Sequence, residues 1–178
     1  PNASVSNFVS LNKLNETSFR INAPVEKEFG EVFKFRAEAT GDFTSYSTKN
    51  MSPGNVSFSN NVIQVAPSLV FSTPALSVNG GLIPTWDNGK FIWLPNVYAE
   101  AHIGQNAFMF QAGWVGSVTK NTYRNLSAIN PYLAPVTFQQ NTKAIEYYGG
   151  IKATLAQHFN FNAKVALIQY KNLPFFIN

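Results

Sequence analysis

Seven charged residues have the types and spacing to do chemistry on one surface: Lys34, Arg36, Glu38, Glu100, Glu146, Lys152 and Lys164. Carboxylates interleaved with ammonium and guanidinium groups can bind or select a solute. They can equally pair with one another as internal salt bridges that hold a polar interior in shape. The second role needs only opposite charges on one face, and it is the favoured one.

Other reactive groups are sparse. His102 and His158 are the only histidines, they fall in different hairpins, and neither has a cysteine or carboxylate at metal-ligand spacing. His102 reads as a lumen-facing side chain and His158 as a turn cap. No serine sits in Gly-x-Ser-x-Gly, and two histidines leave a triad short of bases. Asp42 and Asp87 read as turn or loop residues, where Asp is favoured for its local backbone bonds. Gly80-Gly81 and Gly149-Gly150 fall in strands and open no helix, so no phosphate-binding loop is present. A glycan hydrolase would need a placed acid pair, and none is identifiable. The chain therefore reads as a non-enzyme, with no cofactor and no metal.

The elements that position the charged row are strands. From Glu31 to Ala39 the alternation has no slip: Phe33, Phe35, Ala37 and Ala39 point one way, Lys34, Arg36 and Glu38 the other. The same period of two predicts eight strands, near 18–29, 31–47, 61–73, 76–84, 96–103, 107–118, 143–155 and 159–170, with no amphipathic helix. Pro24, Pro67 and Pro84 fall inside these runs, where each deletes a ladder hydrogen bond, so bulges or fraying are expected there.

Composition agrees with a membrane barrel. Charged residues make up 12% and aromatics 15%, against roughly 25% charged in soluble domains. In a transmembrane strand the apolar row faces lipid and the charged row a wet lumen. No run approaches the roughly 18 apolar residues of a spanning helix. Cysteine is absent, which excludes a disulfide scaffold. The net charge of +4 comes from scattered basic residues without a cluster, so nucleic acid is not an expected partner.

The links alternate in length. Those at Phe29-Gly30, Thr73-Pro74-Ala75, Gly104-Gln105-Asn106 and Ala156-Gln157-His158 are short; those at 48–60 and 119–142 are long. The region around Asp87-Asn88-Gly89 is ambiguous, since it can close a tight hairpin. Short turns at one end and long loops at the other are the habit of outer-membrane barrels. With eight strands both ends of the chain lie on the loop side, which implies a piece of a longer barrel. Residues 1–17 are expected to be irregular, and 18–178 to form antiparallel up-and-down barrel hairpins.

Several stretches carry a resemblance: Tyr123-Arg124-Asn125-Leu126-Ser127, Asn130-Pro131-Tyr132-Leu133, Glu146 to Lys152, Phe159 to Lys164, and the closing Tyr170 to Asn178. From about Leu76 onward the chain resembles the barrel of TonB-dependent-receptor-like outer-membrane proteins of Bacteroidota. The resemblance implies an integral β-barrel in the bacterial outer membrane. Its partners would be membrane lipid and other outer-membrane or surface lipoprotein subunits. Neither the family's plug domain nor its TonB-contacting box is among these residues. The alternative is a soluble lipocalin-like barrel or β-sandwich, with Phe108, Phe110 and Trp114 lining an apolar pocket.

Overall fold

The computed structural model describes residues 1–10, 14–48, 56–104, 107–133, 140–155 and 159–175. His158 and its turn lie outside them. The protein is all-β. Nine strands, β1 (Asn2–Val9), β2 (Leu14–Phe29), β3 (Phe33–Thr48), β4 (Val56–Ser72), β5 (Leu76–Asp87), β6 (Lys90–Ile103), β7 (Phe108–Thr119), β8 (Thr142–Leu155) and β9 (Phe159–Lys171), form one sheet in chain order. Every neighbouring pair is antiparallel, and β1 and β9 are open edges.

The eight expected strands are all present, and a ninth precedes them. Residues 2–9 and 14–17 are not irregular: β1 pairs with β2 from Asn2↔Asn22 to Val9↔Asn15, and β2 itself begins at Leu14. Nine strands also remove the argument that placed both chain ends on one side, because β1 and β9 run in the same direction. The expectation of no helix gives way too. Tyr123–Ile129 forms a short helix, α1, capped by the Thr122 side chain accepting from the Asn125 N–H at 3.2 Å.

The links sort by end, though less cleanly than expected. The turn end carries 30–32, 73–75, 104–107 and the link from β8 to β9. The loop end carries 10–13, 49–55, the 88–89 turn and 120–141. The ambiguous region is a two-residue hairpin: Asn88 at φ 49° and Gly89 at φ 80° supply the positive angles that a type I′ turn requires. The proline expectation holds at one place. The β4–β5 ladder is interrupted between Gln64↔Thr85 and Ser68↔Gly81, where Pro67 and Pro84 fall. Register is the same on both sides of the gap, so the ladder opens without a bulge. Pro24 stays in register with Glu38.

Strict pairing carries one face across the whole sheet. Lys34 is level with Glu28 and Val70, and Arg36 with Glu26 and Ser68. On the other face Phe33 is level with Phe29 and Phe71. The polar face is the concave one, because Glu26, Arg36, Ser68, Asn79 and Tyr98, from five consecutive strands, line one cavity of about 270 Å³. The convex face is apolar and exposed, with Phe19, Phe35, Leu69, Trp93, Phe110, Trp114 and Leu167 open on it. Its aromatics pair across strands, Phe33 with Phe71 at 5.2 Å between ring centres and Trp114 with Tyr147 at 5.9 Å.

Towards the loop end the polarity inverts. Ser45, Ser47, Ser57, Ser59 and Asn61 now take the convex positions of β3 and β4. On the concave side Leu14, Tyr46 and Tyr123 are buried together, with Phe8, Phe58 and Leu133 packed against them. The same strands are thus apolar outside for most of their length and apolar inside at one end.

Candidate functional site

The register places all seven predicted charged residues on the concave face, opposite the exposed aromatics. They divide by what they touch. Lys34 bridges Glu26 at 2.8 Å and Glu28 at 3.0 Å, and Arg36 donates from Nε to Glu26 at 2.7 Å. Glu38 accepts from the Asn22 amide. Lys164 pairs with Glu146 at 2.5 Å and lies 4.2 Å from the centre of the Tyr148 ring. Glu100 and Lys152 form no ion pair among the described residues. His102 is on the same face, level with Met109.

The pairing partners Glu26 and Glu28 went unread in the sequence. Both occupy the even positions of β2, the same parity that puts Lys34 and Arg36 inward on β3, so the alternation of β2 was the available signal. Glycine makes room for this network. A Cβ on Gly113 would overlap the Tyr148 ring, and one on Gly150 would come within 2.8 Å of the Ala163 carbonyl and the Gln111 amide.

A second polar cluster sits nearer the loop end and corrects the reading of Asp42. Asp42 lies inside β3, not at a turn, and is level with Arg20 and Val62. Its carboxylate holds Lys120, which follows β7, and meets Arg20 Nε at 3.5 Å. Lys120 also donates to the Asp42 carbonyl at 3.0 Å and to the Thr44 hydroxyl at 2.6 Å. Burial pushes the Lys120 ammonium below its ordinary value, and Asp42 pulls it part of the way back. Glu16 accepts the Arg124 backbone N–H at 2.9 Å.

These contacts join β2 and β3 to the link that follows β7, far along the sheet. Residues 120–133 of that link therefore lie over the concave face. An asparagine lattice secures the link: Asn60 donates to the Asn121 carbonyl at 3.1 Å and exchanges two bonds with the Asn141 amide, each 2.8 Å. Asn141 reaches Asp87 at 2.6 Å, and Asn88 donates to Asn60 at 3.1 Å. Asp87 does adjoin a turn, as expected, but its carboxylate serves this lattice. None of Glu16, Arg20, Asn60, Lys120 or Arg124 was singled out beforehand. Their partners lie tens of residues away in sequence, and no local pattern links them.

Among the described residues no three His, Asp or Glu side chains gather as a metal site. Phe108, Phe110 and Trp114, the pocket lining expected of a soluble module, stand exposed on the convex face. Trp114 flanks a shallow groove of about 650 Å³ with Tyr147, Val165 and Leu167, and Phe108 and Phe110 lie outside its described lining.

No family model, curated protein or solved structure matches the chain. The resemblance to outer-membrane receptor barrels rests on the residues that carry it.

Proposed function

We propose that the chain is wall of a β-barrel integral to a bacterial outer membrane, TonB-dependent-receptor-like or porin-like, serving transport or the barrel's structure. The observation that carries this is the apolar convex band and its abrupt end. On β3 the outward row is Phe33, Phe35, Ala37, Ala39, Gly41 and Phe43, then Ser45 and Ser47. Ten residue steps at about 3.4 Å make roughly 34 Å of strand. Tilted by about 40°, that spans about 26 Å, close to the apolar height of an outer-membrane barrel. In water such a surface would be far larger than the few hundred Å² of contiguous apolar patch that soluble monomers expose.

In this reading the inversion at the loop end marks where the strands leave the bilayer. Beyond it the environment is water on the outside, so polar side chains turn outward and a small aromatic core forms inside. The turn end would be periplasmic and the loop end extracellular. Lipid is the partner of the convex face, and further barrel strands or surface lipoprotein subunits are partners of the edges and loops.

Two arginine substitutions test it together. Phe35→Arg, within the band, is expected to cost about 2–4 kcal/mol and to block assembly into membranes. Ser45→Arg, at the first convex position past Phe43 and so just beyond the band, is expected to assemble normally. Recovery of the unmodified protein in the aqueous phase without detergent, or equal tolerance of both substitutions, would overturn the reading.

A further inference from the structure

We propose that the cavity at the loop end of the concave face binds a small organic anion, a carboxylate or a phosphate monoester, between Arg20 and Arg124. The cavity holds about 580 Å³ and is walled by β1, β2 and β3 on one side and by residues 118–125 on the other. That volume suits a small ligand. Three cations line it, Arg20, Lys120 and Arg124, against two carboxylates, Glu16 and Asp42.

The internal bonds decide which of these are available. Asp42 is taken up by Lys120 and Arg20. Lys120 spends its donors on the Asp42 carboxylate, the Asp42 carbonyl and the Thr44 hydroxyl. Glu16 is only 4% exposed and accepts the Arg124 backbone N–H. A cationic ligand therefore finds both acids engaged. The guanidinium of Arg124 forms no ion pair among the described residues. Arg20 meets Asp42 through Nε alone, at 3.5 Å, with its side chain 65% exposed. A planar fork of N–H donors suits paired anionic oxygens. The hydroxyls of Ser4 and Ser6 line the same space and can donate to the oxygens that remain, while that of Ser18 is bonded to Thr44. Because the cavity opens on the concave face, opposite the apolar band, the anion is a solute and not a lipid headgroup.

The test is a calorimetric titration of the full chain, in detergent micelles or in plain buffer according to how it partitions, so it is independent of the membrane reading. Succinate and glycerol 3-phosphate probe the two anion types, and glycerol is the uncharged control. At least one anion is expected to bind saturably while glycerol does not. Binding should weaken at least about tenfold in the R20Q/R124Q double variant, and at least about threefold in the unmodified chain between roughly 50 and 500 mM salt, thresholds set by the loss of a charge-assisted contact and by screening. Both arginines are exposed, so the variant should keep its β-type circular dichroism; if it does not, the salt titration decides. Binding of neither anion, glycerol binding as tightly, or affinity indifferent to salt and to the substitutions would overturn the proposal.

Discussion

Asn60 is 1% exposed, and its one amide ties the 120–141 link and the 88–89 turn to β4. Removing it strands the Asn121 carbonyl and takes one bond from each end of the Asn141 amide, which keeps Asp87 and the Asn121 N–H. An unmade buried hydrogen bond costs about 1–3 kcal/mol, so Asn60→Ala should lower the denaturation midpoint clearly. Asn22→Ala should cost less, because its partners Glu38 and Thr40 lie where water can replace the amide. Asp42→Asn acts through charge. It leaves Lys120 buried with its principal anion gone, for an expected loss of about 1.5–3 kcal/mol at neutral pH. The sign with pH follows from the direction of the Lys120 shift. Its folded value is already below the ordinary 10.5, and losing Asp42 lowers it further. Above the folded value the unfolded chain binds the extra proton, so stability rises with pH there. The deficit of Asp42→Asn should shrink as pH climbs towards 10.5, measured as the difference between the two proteins' unfolding curves.

At the scale of elements, β3 explains both what the sequence disclosed and what it withheld. From Phe33 to Ala39 its alternation is unbroken, and the strand, its apolar face and its charged row could be read that far, whereas Asp42, farther along the same face, reads locally as a turn residue. Beyond Thr44 the faces exchange character, since Tyr46 is buried on the concave side while Ser45 faces out. The same exchange hid the start of β2, where Leu14 turns inward. A rule that looks for one continuous apolar row stops where the two faces exchange character. The helix was illegible for a different reason. Its 7 residues make only about two turns, too few to display a 3.6-residue period, and α1 is held by tertiary packing of Tyr123 and Leu126. Tyr123 also donates its hydroxyl to the Leu133 carbonyl at 2.8 Å, closing the link on itself. Tyr123→Ala should therefore free this element without melting the sheet. A protease is expected to cut the variant within 120–133 and to spare those bonds in the unmodified chain, while the circular dichroism of the strands is unchanged; equal cleavage there in both would show that Tyr123 does not anchor the link.

For the molecule as a whole the decisive asymmetry is between the two rims of the apolar band. Trp86 and Trp93 stand exposed on the convex face beside the 88–89 turn, with Phe91 between them, whereas Trp114, the third tryptophan, is exposed on the same face midway along β7. The opposite rim carries Phe29, Phe33, Phe71 and Phe108. Indole and phenol rings favour the headgroup level of a bilayer, where one end of the ring is wet, whereas phenylalanine has no polar end to keep there. If the band is embedded, Trp86 and Trp93 lie near one lipid–water boundary, and Trp114 lies deeper. Tryptophan fluorescence of the Trp114→Phe variant in bilayers should then be quenched more by a lipid spin-labelled near its headgroup than by one labelled near the chain terminus. A fold that kept these rings among protein atoms would be quenched weakly by both, and stronger quenching by the deep label would place the band's centre at the loop end and undo the assignment of its rims. The variant keeps only the two indoles that flank the 88–89 turn, and their shared position on one rim of one face predicts a single shallow depth.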